Sequence, residues 1–264
     1  MEHMHLLVNG EVVNEISFTP AREVYESGWF LGDGVFETIL VLNGKPIAIS
    51  RHLDRLEKSA ASLLMTLPER LSMEKWVAKV CQEFPYATGR LRLSVLSSGE
   101  CVITYREHEM RDQSISLMKF PTPIHSQEFL RSLKSISYQM STYALRLAKR
   151  AGYDDVVFIN ESDKVVESAI ANIVFDIKGA LVTPPLNSGA LAGVTRQLLL
   201  ENFTVIEDEC DSSLLDTCDG IALVSSMKRI QLVSRYEARQ LEQSKRLTEL
   251  RGTFNEWIEK NTNP

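Results

Sequence analysis

The chain reads as a mixed α/β protein of the segregated, α+β kind, built as two domains. Three observations predict this. Asn9-Gly10 and Asn43-Gly44 each stand between short apolar runs, the pattern of a two-residue hairpin. Strand-like and helix-like segments do not alternate as a doubly wound sheet requires. Phe120-Pro121-Thr122-Pro123-Ile124 places two prolines in three residues, which stiffens a crossing and stops a ladder. The predicted division is a small N-terminal α+β domain over 1–119, a linker over 120–127, and a larger barrel-like, mixed-sheet domain over 128–264.

In the first part, His5 to Val8 and Glu11 to Val13 flank the first Asn-Gly turn. Gly28 to Thr38 is glycine-rich and opens onto a strand, Val35 to Val41. The second Asn-Gly turn pairs that strand with Pro46 to Ile49. Ser50 can cap a helix from Arg51 to about Leu64, because Leu53, Leu56, Ala60 and Leu63 share one face. A second helix is expected over Ser72 to Glu83, then strands over Arg90–Leu96, Val102–Tyr105 and Ser114–Phe120.

The second part is richer in strands. Lys134 to Tyr138 reads as a strand end and Gln139 to Ala151 as a helix. Strands follow over Val156–Ile159, Lys164–Val166, Asn172–Ile177, Ala180–Thr183 and Gly220–Val224. Gly193-Val194-Thr195 leads into a helix reaching Asn202. Leu241 to Lys260 is a charged terminal helix.

Composition removes several function classes. The 264 residues carry a net charge of −6 and no basic cluster, which disfavours nucleic acid and anionic membrane as partners. No apolar run is long enough to span a bilayer. The first residues, Met1 to His5, lack a signal-peptide pattern, so a cytoplasmic protein is expected. Cys81, Cys101, Cys210 and Cys218 form no CxxC pair, and the five histidines form no zinc spacing. Free thiols and no metal site are expected.

A few residues can carry chemistry. Lys134 stands before an uncharged run rich in Ser, Tyr and apolar residues. A lysine that loses hydration there deprotonates more readily, and a neutral amine is a nucleophile. A solvated strand-end lysine is the alternative. Glu167 opens a stretch of small and apolar residues, where a carboxylate needs a specific partner. Gly193-Val194-Thr195 can bind an anion through free helix N–H groups, or can be a turn with a Thr cap. Ser225-Ser226 can face a ligand or form a plain turn. Arg55 can grip a phosphate, or pair with Asp54 or Glu57 at the surface. Arg90 and Arg92 share a strand face and can receive a dianion, or be strand-edge charges. Arg106-Glu107-His108 suits a carboxylate but stands in a charged stretch that reads as a solvated loop.

Five segments in order resemble the fold type IV pyridoxal-phosphate enzymes: branched-chain and D-amino acid aminotransferases and 4-amino-4-deoxychorismate lyases. They are Gly32 to Thr38; His52-Leu53-Asp54-Arg55-Leu56 with Ser59-Ala60; Lys134 with Asp154-Asp155; Glu167 with Asn172 to Phe175; and Leu191 to Arg196. The resemblance implies pyridoxal 5′-phosphate between two α/β domains, and a homodimer. It implies that Lys134 is the Schiff-base lysine and catalytic base, and that Glu167 pairs with the pyridine nitrogen. Arg55, the Val194 and Thr195 backbone and Ser226 would hold the phosphate, and Tyr138 the ring's 3′ oxygen. Phe36 and Arg92 would meet substrate. The short chain, the Gly-Asp-Gly-x-Phe run at 32 to 36 and the paired arginines resemble the lyases. Ser97 to Glu100 and Ser226 to Val233 depart from lyase patterns. An aminotransferase and a non-catalytic metabolite-binding relative are the alternatives.

Overall fold

The structure is a computed structural model, and it describes residues 4–13, 28, 31–110 and 112–264. Trp29 and Phe30 of the expected glycine-rich turn lie outside the described residues. The chain divides into two units. The first holds residues 1–110, 133–138 and 258–264; the second holds 111–132 and 139–257.

Within the first unit the described strands form one antiparallel sheet. They are β1 (Met4–Val8), β2 (Glu11–Val12), β3 (Gly34–Leu42), β4 (Lys45–Pro46), β5 (Thr88–Leu96) and β6 (Cys101–Glu107), in the order β2-β1-β6-β5-β3-β4. Both Asn-Gly turns form as read, with φ of 47° and 49° at Asn9 and Asn43 and positive φ at each glycine. Two consecutive left-handed residues match the twist of a tight hairpin. One sheet face is covered by α1 (Ile49–Ser62) and α2 (Arg70–Glu83), which bury Leu53, Leu56, Met73 and Val77 against Ile39, Leu91, Leu93 and Tyr105.

Helix α1 starts differently from the expected Ser50 cap. Its N-cap is Ala48, in a left-handed conformation and without a side-chain cap. Residues 262–264 supply the missing acceptors. Ala48 N–H donates to Thr262 O, Ser50 N–H to Asn263 Oδ1, and Arg51 Nε to Pro264 O. Two backbone donors at the helix start are thus satisfied from more than two hundred residues away.

The second unit is a mixed sheet of nine described strands. They are β7 (Ile115–Lys119), β8 (Asp155–Ile159), β9 (Val165–Ser168), β10 (Asn172–Ile177), β11 (Ala180–Thr183), β12 (Val205–Glu207), β13 (Gly220–Ser225), β14 (Arg229–Tyr236) and β15 (Arg239–Gln240). The path runs β12-β11-β10-β13-β14-β7-β8-β9, with β15 on β14. Its helices are α3 (Gln139–Arg150), α4 (Val194–Asn202) and the short α5 (Leu214–Thr217); α6 (Lys245–Lys260) follows. The mixed α+β class expected from sequence is what forms, with helices outside sheets.

The division differs from the expected 1–119, 120–127 and 128–264 at β7, at the proline segment, at 133–138 and at 258–264. β7 pairs in parallel with β14 and β8, so it belongs to the second sheet. The two prolines do not cross between units. Phe120 and Ile124 N–H groups donate to Val157 and Ile159 carbonyls, so the segment runs along β8 and buries both side chains. The reverse holds at 133–138, which pairs with β3 of the first unit.

Candidate active site

In the first unit, β3 places the key groups. Lys134 is not a strand end; Ser135 makes a single antiparallel bridge to Val35. Phe36 N–H donates to Lys134 O and Ile136 N–H to Gly34 O, each at 2.9 Å. Gly34 fits between two neighbours, because a Cβ there would stand 2.6 Å from Val95 O on β5 and 2.9 Å from the Ile136 side chain. Lys134 N–H also lies 3.4 Å from Ser59 Oγ on α1. The lysine backbone is therefore clamped, and the side chain is 9% exposed. Its ammonium sits 4.6 Å from the Phe36 ring centroid and 5.4 Å from that of Tyr138. The two rings meet edge to face at 5.2 Å. Arg92 Cζ lies 3.6 Å from the same Phe36 centroid, and its Nε donates to Ser94 Oγ. Lys134, Phe36, Tyr138 and Arg92 form one cluster.

Behind β3 lies an ion network that sequence reading did not assign. Glu37 is fully buried, and Arg55 grips it with two hydrogen bonds while His52 Nδ1 lies 2.6 Å from Oε2. Burial, the largest single effect, works to raise the Glu37 carboxyl. The Arg55 charge, then His52, outweigh it and hold the group at about 2. For His52 burial wins over the pull of Glu37 and lowers its pKa. The alternative partners for Arg55 are engaged elsewhere: Asp54 and Glu57 bind Arg70. One signal for Glu37 was present, since it is the sole acid in the nine-residue apolar run of β3.

In the second unit, Glu167 sits on β9. It accepts hydrogen bonds from Asn172 Nδ2 at 3.0 Å, Leu191 N–H at 3.1 Å and Arg131 Nη2 at 3.3 Å. Asn172 Nδ2 also donates to Leu191 O, tying β10 to the segment entering α4. Arg131 was not singled out in the sequence, and its flanking residues carry no motif. Helix α4 begins at Gly193, with no side-chain cap and no acid in its first turn. Thr195 is therefore inside the helix rather than its cap, and both Val194 and Thr195 are buried. An added Cβ at Gly193 would collide with the Asn172 carboxamide oxygen. Ser226 is half-buried in the turn between β13 and β14.

Asp154 and Asp155 act within the second unit. The Asp154 carboxylate accepts from the Ser116 N–H and hydroxyl, and Asp155 Oδ1 from the Val156 and Ala169 N–H groups. Burial raises the Asp155 pKa, against the pull of Lys228. The acidic pair thus anchors β7 and β8. Among the described residues no three His, Cys, Asp or Glu side chains cluster to hold a metal, and no helix is long and apolar enough to cross a membrane.

The family model described as amino-transferase class IV matches residues 34–236. A Mycobacterium tuberculosis protein named bifunctional aminodeoxychorismate lyase / D-amino acid transaminase is 30% identical over 244 residues, covering 80% of this chain and 84% of its own. The aminodeoxychorismate lyase of Bacillus subtilis is 26% identical over 216 residues, covering 75% of this chain and 73% of its own. The D-alanine aminotransferase of Listeria monocytogenes serotype 4b is 24% identical over 268 residues, covering 92% and 91%. A solved structure of a hypothetical aminotransferase from Mycobacterium tuberculosis, in a PLP-bound form, superposes with a TM-score of 0.84. It covers 98% of this chain and 99% of its own at 23% identity, which shows a shared fold.

Proposed function

The chain belongs to the class IV aminotransferase family, and from that premise we propose a pyridoxal-phosphate-dependent lyase. It splits 4-amino-4-deoxychorismate into 4-aminobenzoate and pyruvate. The observation that carries the reading is the cluster on Phe36, where a shielded primary amine and a guanidinium share one ring. An amine is what the cofactor's aldehyde requires, and a guanidinium is what a substrate carboxylate requires.

The residues present fit pyridoxal 5′-phosphate. Lys134 would hold its aldehyde and Glu167 its ring nitrogen. The open start of α4, with the Val194 and Thr195 N–H groups, suits a phosphate, and Gly193 leaves room for the Asn172 carboxamide to pack beside it. Arg55 and Ser226 would add to the phosphate, and Tyr138 to the ring oxygen. Once bound, the cofactor supplies an electron sink that eases loss of a proton from the carbon bearing the amine.

The protein groups divide the remaining work. Lys134 Nζ takes that proton, and Phe36 and Tyr138 keep water from the amine. The proton removed equals the one that the departing enolpyruvyl group needs to leave as pyruvate, so no second reactant is required. Aromatisation of the ring drives the step. Glu167, fixed by three donors, keeps its carboxylate oriented. Arg92 holds a carboxylate of the substrate.

A second reading is transamination of D-amino acids, favoured by the bifunctional name of the 30%-identical relative. In that reading Lys134 moves the proton rather than discarding the leaving group. A homodimer in the cytoplasm accompanies either reading, and sedimentation of the purified protein tests the dimer.

The deciding experiment supplies aminodeoxychorismate to cofactor-loaded protein without any keto acid. Equal amounts of 4-aminobenzoate and pyruvate over many turnovers are expected, and none from Lys134→Ala. Turnover only with an added amino donor and keto acid would replace the lyase with the transaminase.

A further inference from the structure

Asp155 and Lys228 come from two segments with no assigned chemistry, the acidic pair at the start of β8 and the turn that follows Ser226. Both lie in the second unit. Asp155 opens β8 and is 1% exposed. Its Oδ1 accepts from Val156 N–H at 2.8 Å and Ala169 N–H at 3.1 Å. Its Oδ2 is just as enclosed and has no hydrogen-bond partner among the described residues. Taking a carboxylate oxygen out of water without a partner is costly, so the site calls for a positive charge nearby.

That charge is Lys228. Burial raises the Asp155 pKa and lowers that of Lys228, and each group is the strongest charge opposing the shift of the other. Asp154 acts on Lys228 more weakly. The Lys228 ammonium donates to Gln231 Oε1 at 2.7 Å, and its N–H to Ser225 Oγ at 3.3 Å. Sheet register explains why the two groups are neighbours. β10 and β13 are antiparallel, and Asn172 faces Val224. Residues 169–171, at the corner between β9 and β10, therefore lie at the same end of the sheet as the turn 226–228. Asp155 binds that corner through Ala169.

The turn needs an anchor. It spans three residues between the paired Ser225 and Arg229. Arg229 closes it with a left-handed φ of 51°, a region that residues with a Cβ enter at a cost. We infer that Lys228 and Asp155 are positioning residues: their opposite charges, buried at the corner between β9 and β10, hold the turn that carries Ser226 in the shape that receives the cofactor's phosphate. The inference rests on the proposed placement of that phosphate at Ser226 and deepens it. Removing one charge leaves the other buried and uncompensated, whereas removing both leaves two neutral groups. The two residues are therefore energetically coupled.

The test titrates the full chain with pyridoxal 5′-phosphate and with pyridoxal, which lacks the phosphate, and follows absorbance. The ratio of the two affinities reads the phosphate contribution, and a variant that merely folds badly loses both. Wild type is expected to prefer the phosphorylated form. Lys228→Met and Asp155→Asn should each cut that preference about tenfold while leaving pyridoxal affinity in place, and the double variant should recover most of it. Lys228→Arg, which keeps the charge, should retain more of the preference than Lys228→Met. An unchanged preference in Lys228→Met, losses that add in the double variant, or losses that strike pyridoxal equally would overturn the inference and leave the phosphate placement standing. A wild type that binds both forms equally would overturn it by removing the phosphate from Ser226. A coupled loss in protein that makes no 4-aminobenzoate keeps the inference and removes the proposed lyase.

Discussion

Arg55 holds Glu37 in a two-pronged grip, Nε to Oε1 at 2.8 Å and Nη2 to Oε2 at 2.6 Å. The pair joins the centre of α1 to the strand that carries Phe36. A buried carboxylate with one partner removed is an uncompensated charge, which is far costlier than the net worth of the pair.

That grip makes the first unit acid-sensitive. Glu37 is held at about 2 against an ordinary 4.5. Its pKa is depressed on folding, so the stabilisation is complete above the unfolded value and is lost as pH falls from near 4.5 toward 2. The contribution is about 3 kcal/mol. Glu37→Gln should flatten the denaturant-midpoint profile across that window and lower the midpoint at pH 7. A variant whose acid profile matches the wild type would remove Glu37 from the acid response.

Glu167→Gln keeps the shape of the side chain and removes its charge. The variant should retain cofactor, while turnover falls by about two orders of magnitude. Cofactor retention is read from absorbance after desalting, and turnover from product release. Undiminished turnover would place Glu167 outside the chemistry.

Gly193→Ala puts a methyl group where the Asn172 carboxamide stands. Asn172 must then move, and with it one donor to Glu167. Affinity for inorganic phosphate and for the cofactor should fall about tenfold in a fluorescence titration. Gly179→Ala, at a turn with open space around it but positive φ, is the control: it costs stability without touching phosphate affinity.

All four cysteines are buried unpaired thiols. Burial pushes Cys81, Cys101 and Cys210 up to about 12, and raises Cys218 as well. A thiol that stays protonated is a poor nucleophile. A disulfide reagent at pH 8 should therefore label none of them in native protein and four after denaturation. Rapid labelling of the folded chain would contradict this burial.

Much of the fold was legible because local chemistry settled it. Asn9-Gly10 and Asn43-Gly44 take the left-handed pair that their turn requires, and the α1 face follows from Leu53, Leu56 and Ala60. The lysine segment was legible as a motif but not as a place. Leu133 to Tyr138 carries no strand pattern of its own, and its partners at Gly34 and Phe36 are a hundred residues earlier. β14 was missed because Arg229 to Tyr236 mixes Gln231, Ser234 and Arg235 with its apolar residues. Its pairing with β13 and β7 outweighs that composition. Of the candidate site residues, Lys134, Glu167 and Thr195 can be singled out from residue type and spacing. Glu37 and Arg131 depend on which cation meets which carboxylate across the fold, and no single segment encodes that.

The bonds from Thr262, Asn263 and Pro264 to the start of α1 impose an order of events on a growing polypeptide. Residues 1–110 leave the ribosome first, yet their unit is completed by 133–138 and finally by 258–264. The nascent first unit must wait, with the amino end of α1 open, while the whole second unit is synthesised. Slow, long-range closure of this kind leaves apolar surface at risk during translation. Released chains truncated after residue 257 should consequently show a protease-resistant second unit and a first unit that is still cleavable around residues 48–51.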